Sequence, residues 1–347
     1  MVSIVVNNYN YERFLGDAIE SALGQTHPHT EVVVVDDGST DGSREIISGY
    51  GDRITPVLKE NGGQASAFNA GFAASRGEVV VFLDADDYLF PQVAGRVVAA
   101  WEPGLAAVQY RLEQVDALGR PLGSASPPYG VRMESGEVWR ILLERGSRVH
   151  PPTSGNGFCR TALQQIFPLP EAEWRISADG CLVTLVPFYG RVASIEEPLG
   201  AYRLHGGNLW ASLDGKNGRE TLAQVQYDLR KQELLARRAA ALGHAVPRGL
   251  SLRDHRRVQY RIASLRLNPG KHPISADDPL DLLHGGLNAV WRYSRLSRRQ
   301  RIVYSLWFIC VGLLPLRMAK PVISWGLSAR TRPGVIDRLC GRAARGQ

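Results

Sequence analysis

Three carboxylates follow directly on an apolar run in the segment VVFLDADDYLF, residues 80–90: Asp84, Asp86 and Asp87. A second acidic cluster, DDGSTD at 36–41, follows the apolar-rich run EVVVV at 31–35. Neither cluster contains a basic residue, so its charges would repel one another unless a cation lay between them. A divalent ion carrying a phosphate ligand is the simplest such cation, and ligation by carboxylate oxygen alone favours Mg²⁺ or Mn²⁺ over zinc.

Each acidic cluster also has a purely structural interpretation. DADD at 84–87 could be a helix N-cap with further acidic residues in the first turn. DDGSTD could be a turn followed by the helix cap Asp41. Because both clusters follow strand-like runs, their joint occurrence favours a shared binding site.

The elements that must position these clusters are short β-branched runs alternating with helical patterns. The runs at 2–6, 31–35, 53–58 and 78–83 are typical of buried parallel strands. Helices are predicted within residues 11–25, from near Asp41, and within 64–77, the first from apolar residues spaced along one helical face. This alternation predicts a doubly wound α/β sheet, in which ligands bind at the carboxyl ends of the strands.

Three motifs carry a resemblance to a known family: SIVVNNYNYERFL from residue 3, VVVVDDGSTDGS from residue 32, and NGGQASAFNAGFAASRGEVVVFLDADD from residue 61. They resemble the nucleotide-sugar-binding half of the family 2 glycosyltransferases. The resemblance is specific over residues 2–90 and continues more weakly to about 210. It implies an α/β, GT-A-like doubly wound mixed sheet with helices on both faces, followed here by a helical basic C-terminal region.

The resemblance assigns residues to the nucleotide sugar. Tyr9 would pack against the base, although it could also be an ordinary strand-end aromatic. Asp37 would accept the base's ring N–H, which suits uracil or thymine and favours a UDP or dTDP sugar. Asn8 and Asn69 complete this set, and the chain has Asn7 and Asn8 where the family usually has Pro-Thr or Pro-Ser.

The same resemblance assigns the diphosphate and metal contacts. Asp84 and Asp86 form the family's Asp-x-Asp motif, with Asp84 towards the ribose and Asp86 on the metal that bridges the diphosphate. Asp87 would share the metal. His205, in YRLHGGN at 202–208, would reach the metal or the diphosphate, although a lone loop histidine is often simply solvated.

The acceptor hydroxyl needs a base, because it is a weak nucleophile until its proton is removed. The family places a carboxylate, usually in a Glu-Asp pair, just before a helix. Asp179 matches that position with Ala178 in place of the Glu, and Asp179 could instead be a helix N-cap. The implied reaction is a single displacement that inverts the anomeric configuration.

The charge distribution divides the chain. Residues 1–210 hold 16 Lys and Arg against 25 Asp and Glu, a net charge of −9, whereas residues 211–347 hold 25 against 9, a net charge of +16. We predict a glycosyltransferase domain at 1–210, with a nucleotide-sugar half at 1–110 and an acceptor half at 111–210. A helical linker at 211–270 and a basic, amphipathic, membrane-associated region at 271–347 would follow.

The C-terminal region contains an uncharged stretch at 302–316 between Arg301 and Arg317. Fifteen residues are fewer than the roughly 20 that span a bilayer. The stretch favours a membrane-surface or re-entrant segment, with a buried core helix as the alternative. Nucleic acid is not expected as a partner, because no recognised motif or basic groove pattern with interleaved aromatics is present.

The sequence predicts a cytoplasmic protein held on the inner face of the cell membrane, because the start shows no secretory signal and the four cysteines show no paired motif. The predicted activity is metal-dependent sugar transfer to a glycan or lipid-linked acceptor in cell-surface glycan or glycolipid assembly. A nucleotidyltransferase would need a Gly-rich phosphate loop, which NNYNYERF lacks. A non-catalytic, membrane-tethered nucleotide-sugar or glycan-binding protein stays open as the alternative.

Overall fold

The computed structural model describes residues 1–208, 218–327 and 334 of the chain. The chain divides into two compact units. The N-terminal unit comprises residues 1–139 and 148–205, and the C-terminal unit comprises residues 140–147 and those from 206 onward. The predicted domain boundary at residue 210 lies outside the described residues.

The N-terminal unit is built on one mixed sheet. Its strands among the described residues are β1 (Val2–Asn8), β2 (Thr30–Asp37), β3 (Thr55–Lys59), β4 (Val79–Asp84), β5 (Tyr88–Leu89), β6 (Leu105–Asp116), β7 (Pro121–Ser126), β8 (Asn156–Cys159) and β9 (Arg191–Leu204). Their order across the sheet is β3-β2-β1-β4-β8-β6-β9-β5, and β7 pairs with β6.

The first four strands in that order are parallel to one another. They are rich in valine and largely buried, apart from the edge strand β3, as expected for parallel strands covered on both faces. Register aligns their carboxyl ends, with Asn8 opposite Asp36 and Asn7 opposite Asp84. The two acidic clusters therefore lie side by side at the carboxyl ends of the parallel strands.

Helices cover both faces of this parallel half. The helices are α1 (Glu12–Leu23), α2 (Ser43–Ser48), α3 (Gln64–Ala74), α4 (Val93–Ala99), α5 (Val138–Arg145), α6 (Arg160–Gln164) and α7 (Asp179–Leu185), of which α5 spans the unit boundary. Helix α1 buries Leu15 and Ile19 in a core that also contains Ile4 and Val6. On the opposite face α3 approaches closely, because a Cβ on Gly71 would lie 2.3 Å from a methyl of Val5.

The remaining strands bring a later part of the chain close to the acidic residues that follow β4. Strand β8 is antiparallel to both β4 and β6, β6 runs parallel to β9, and β5 pairs antiparallel with β9. The pairing of Tyr88 with Ala201 brings the end of β9 beside the turn that follows β4. His205 comes directly after β9.

The C-terminal unit is helical in its described part. It contains α8 (Gly218–Ala241), α9 (His255–Leu267), α10 (Pro279–Asn288), a π-helical turn (Ala289–Tyr293), α11 (Arg298–Leu313) and α12 (Leu316–Leu327). Side chains of Asp254 and Asp278 cap α9 and α10, and Ser297 with Gln300 forms a capping box at the start of α11. These caps satisfy backbone N–H groups that the first helical turns leave unpaired.

One apolar cluster holds α9 to α12 together. Trp307, Phe308 and Val311 of α11 are buried there with residues of the other three helices. Gly286 packs closely against Phe308: a Cβ at position 286 would lie only 2.3 Å from the ring of Phe308. The indole N–H of Trp307 donates to the carbonyl of Val322 at 2.7 Å.

The structure confirms the α/β fold class and the first predicted elements. All four predicted strands and the first three helices are present, and the second helix begins at Ser43. The third strand begins at Thr55 because residues 51–53 form a 3₁₀ turn. Among the described residues, no helix combines the length and apolar character needed to cross a membrane.

Phe308→Ala should lower the free energy of unfolding by about 3–5 kcal/mol, because it leaves a cavity in a packed core. Leu306→Ala, two residues away and 57% exposed, should change it by less than about 0.5 kcal/mol. Urea denaturation followed by circular dichroism measures both. Equal effects of the two substitutions would contradict the described orientation of α11.

Candidate active site

The candidate site lies at the carboxyl end of β4, where the chain turns through residues 84–87. The amide of Ala85 donates to the carbonyl of Asn7 at 3.1 Å, and the amide of Asp87 donates to the carbonyl of Asp84 at 3.0 Å. This tight turn brings three carboxylates together at a partly buried edge.

The surroundings of Asp84 strongly raise the pKa of its carboxyl group. Burial, together with the negative charges of Asp86 and Asp179, raises the pKa of Asp84 to about 8. The structure thus brings Asp179, predicted from a distant part of the chain, into the electrostatic range of the Asp-x-Asp pair. A carboxyl in this state binds either a proton or a compensating cation near neutral pH.

Asp87 faces inward. Its carboxylate accepts a hydrogen bond from Ser154 Oγ at 2.7 Å and another from the Arg203 amide at 3.0 Å. Burial and the charges of Asp86 and Asp84 raise its pKa well above the usual range. These contacts support the turn, and the share of Asp87 in binding the metal stays a prediction.

His205 lies beside Asp86, with Nε2 at 3.0 Å from Oδ2. Its ring packs against Phe14 at 4.8 Å and edge-on against Tyr11 at 5.6 Å between centroids. These contacts hold the imidazole in place, unlike a solvated loop histidine. Burial and the charges of Asp86, Asp84 and Asp87 raise the pKa of Tyr11, so its hydroxyl stays protonated.

The second acidic cluster is held in a network of donors. Asp37 accepts hydrogen bonds from Lys59 Nζ at 2.7 Å and from the amides of Gly62 and Gly63 at 3.0 and 2.7 Å. A carboxylate has about four lone-pair sites, so one further donor can still be accepted. Gly63 adopts φ 88°, a left-handed conformation that favours glycine.

The other residues predicted to bind the nucleotide sugar differ in their surroundings. Tyr9, directly after β1, is 46% exposed. Asn8 donates to Asp36 at 3.0 Å and to Ser39 at 3.1 Å, and its Oδ1 is buried without a hydrogen-bond partner among the described residues. Asn69 donates to the carbonyl of Leu169 and to Glu171, and its side-chain oxygen accepts from the Leu169 amide.

Asp179 is the first residue of α7, and Ala178 occupies the N-cap position without a side-chain capping bond. Asp179 therefore does not hold the N-cap position itself. Ser177, two residues earlier, adopts φ 60°, a conformation that is costly for a residue other than glycine. Strain of this kind accumulates where a turn must aim a side chain.

Gln64 connects the two parts of the site and was missed by sequence reasoning. Its Oε1 accepts from the Ala178 amide at 2.8 Å, and its Nε2 donates to Asp84 Oδ1 at 3.4 Å. The backbone amide of Gln64 also donates to the carbonyl of Arg175 at 2.8 Å. The start of α3 thus ties the segment preceding Asp179 to the acidic turn.

Arg203 is a second residue that sequence reasoning missed. It is 3% exposed, and its side chain donates to the carbonyl of Asp86 at 2.9 Å and to the carboxylate of Asp17 at 2.8 Å. The guanidinium also stacks over Phe14 and Tyr88, at 4.9 and 5.4 Å from the ring centroids. Its position two residues before His205 was the available signal.

The arrangement of these groups bears on whether a divalent cation can bind here. Within the described part of the chain, no three His, Cys, Asp or Glu side chains lie together as a ready-made metal site. Asp86 and His205 are adjacent, however, and Asp84 is destabilised by the neighbouring negative charge. These residues fit an ion held by few protein ligands, the usual state of Mg²⁺ on phosphates.

Comparison with known proteins gives a consistent family. The model of glycosyl transferase family 2 matches residues 3–166. An uncharacterized glycosyltransferase of Nostoc sp. is 41% identical over 213 residues, which is 60% of this chain and 66% of that protein. The putative teichuronic acid biosynthesis glycosyltransferase TuaG of Bacillus subtilis is 43% identical over 91 residues, 25% of this chain and 36% of TuaG.

A solved structure shows the same fold. Residues 1–349 of S. aureus TarS, in complex with UDP-GlcNAc, align with 93% of this chain and 90% of that one, at 16% identity and a TM-score of 0.52. The alignments span about two thirds of the Nostoc protein and 36% of TuaG. Residues 3–166 therefore form a glycosyltransferase family 2 domain, and the chain has a GT-A-like fold.

Proposed function

We propose that the chain is a metal-dependent, inverting glycosyltransferase that moves a sugar from a nucleoside-diphosphate sugar to a hydroxyl acceptor. The observation that carries the proposal is the cluster of Asp84, Asp86 and Asp179, in which burial, together with the charges of Asp86 and Asp179, raises the pKa of Asp84 to about 8. A site with this excess of negative charge favours a cation, and a cation favours a diphosphate.

Asp86 would hold Mg²⁺ or Mn²⁺, with His205 beside it. When bound, the ion would neutralise the charge that develops on the departing nucleoside diphosphate. Asp84 lies towards the ribose in this proposal. Asp87 acts through the backbone, because its hydrogen bonds to Ser154 and Arg203 fix the turn that presents Asp86.

The nucleotide would lie across the ends of β1 and β2. Tyr9 offers an exposed ring for the base, and Asp37 retains capacity for one ring N–H beyond its three present donors. That capacity supports a UDP or dTDP sugar. The unpartnered Oδ1 of Asn8 can accept a donor from the ligand, whereas the contacts of Asn69 favour a structural role for it.

Asp179 would take the proton of the acceptor hydroxyl as that oxygen attacks the anomeric carbon. Since a single displacement occurs from the face opposite the leaving group, the product would have inverted configuration. Gln64 is a positioning residue, because it links the Ala178 amide to Asp84.

The acceptor would be a glycan or a lipid-linked sugar used in cell-surface polysaccharide assembly, on the inner face of the cell membrane. The name of TuaG, a putative teichuronic acid biosynthesis enzyme, supports this setting. The net charge of +16 on residues 211–347 supports an anionic surface as partner.

A non-catalytic protein that binds a nucleotide sugar or a glycan is the second candidate, because Ala178 replaces one acid of the family's usual pair. Incubation with a panel of nucleotide sugars and Mn²⁺ separates the two functions. Release of nucleoside diphosphate supports the transferase, and tight donor binding without turnover supports the second candidate.

Asp86→Ala should abolish the cation dependence of donor binding, because it removes the principal ligand of the ion. Titration calorimetry with UDP or dTDP, in Mn²⁺ and then in excess chelator, measures this. Asp52→Ala, at an exposed carboxylate in a 3₁₀ turn, serves as the control. Equal affinity of the unchanged protein with and without chelator would refute the metal assignment.

Asp179→Asn should leave nucleotide binding nearly unchanged and lower transfer by at least about 10²-fold, the usual loss when a general base is removed. Product NMR on the unchanged enzyme should show the inverted anomer. Transfer by the variant at the original rate would mean that another residue is the base.

Gln64→Ala should lower kcat by about 10-fold or more, because a small displacement of a catalytic group is costly. The KM for donor should change less, since Gln64 reaches the nucleotide side only through its 3.4 Å hydrogen bond to Asp84. Gln92→Ala, at an exposed position without a capping bond, is the matched control. A loss confined to KM would contradict a role in positioning Asp179.

A further inference from the structure

Helix α11 carries two apolar faces, and only one of them is used by the core. Trp307, Phe308 and Val311 are at most 7% exposed. On the other side lie Ile302, Leu306, Ile309 and Leu313, which are 48%, 57%, 39% and 59% exposed. We call these four residues the apolar stripe.

The spacing of the apolar stripe is that of a single helical face. Its members follow one another at intervals of four, three and four residues, which places them in one row. The row extends about 16 Å along the helix. Trp291 lies at its edge, since its indole N–H donates to Ser305 Oγ at 3.0 Å and the side chain is about half exposed.

Exposed arginines lie at both ends of the apolar stripe. Residues 289–327 contain six arginines and one lysine and no Asp or Glu. Arg298 and Arg299 are exposed at the start of α11 and lie four and three residues before Ile302, on the two sides of the same face. Arg317 is exposed shortly after the other end of the stripe.

These observations identify the kind of partner. A second copy of this chain would bring the same three exposed arginines, Arg298, Arg299 and Arg317, against these three, so the charge pattern disfavours a dimer through this face. Nucleic acid would suit the arginines but not a row of aliphatic side chains. A surface that is anionic at its boundary and apolar just beneath it suits both the arginines and the row of aliphatic side chains.

We propose that the apolar stripe is the membrane-contacting face of the protein and lies along the boundary of headgroups and acyl chains in an anionic bilayer. The helix would lie in the plane of the surface with its arginines at the headgroups. This inference deepens the proposed function in one respect, because a lipid-linked acceptor would be held at the same surface. Lipid contact itself does not depend on catalysis.

Vesicle flotation of the full chain tests the proposal. Binding to phosphatidylcholine vesicles containing phosphatidylglycerol should exceed binding to pure phosphatidylcholine by at least about tenfold at low salt, since each basic residue contributes about fivefold. High salt should weaken this binding without abolishing it, because screening acts on the charges and not on apolar burial.

Two variants separate the contributions of the face. Leu306→Asp with Leu313→Asp should reduce vesicle binding by at least about tenfold at both salt levels. Arg298→Glu with Arg299→Glu should reduce it mainly at low salt. Leu118→Asp, at a 68% exposed leucine of the N-terminal unit, is the matched control. Circular dichroism and calorimetric titration of donor, without vesicles, show whether each variant is folded and keeps its nucleotide site.

Failure of the unchanged chain to float at either salt level overturns the proposal, as does undiminished flotation of the aspartate pair. If light scattering instead shows a dimer that the aspartate pair dissociates, the stripe is a subunit contact. Donor binding in the same samples is an independent result, so loss of the lipid proposal leaves the transferase proposal standing.

Discussion

The site is organised by repulsion among carboxylates at one edge of the sheet. Asp84, Asp86 and Asp87 lie within four consecutive positions, and Asp179 adds a further charge. Such a group is stable only when hydrogen-bond donors and cations offset the repulsion. The surrounding structure supplies donors to the turn and leaves the outer side of Asp86 next to His205. The arrangement is therefore suited to a ligand that brings its own cation.

Each compensating group comes from a different part of the chain. Ser154 lies just before β8, Arg203 is in β9, and Gln64 begins α3. The long pairing of β6 with β9, from Leu105 to Asp116, places Arg203 at the acidic turn. The sheet thus fixes the geometry of the site, and changes in the register of β9 would remove Arg203 and His205 together.

Local patterns in the sequence were sufficient for the first four strands, the helices between them and the acidic strand ends. Valine-rich runs and helical spacing are local properties, and the structure confirms them. Gln64 and Arg203 could not be found in this way, because their partners lie 114 and 116 residues away. For α11 both apolar faces were visible in the sequence, but only the packing of α9, α10 and α12 determines which one is buried.

The most direct test of this account is a crystal structure of the protein with Mn²⁺ and uridine diphosphate, with the metal located by anomalous scattering. The account predicts an anomalous peak bridging the diphosphate and the Asp86 carboxylate, with His205 nearby and Asp179 on the side open to an acceptor. An ordered nucleotide with no metal at Asp86, or a metal bound at Asp36 and Asp37 instead, would contradict it.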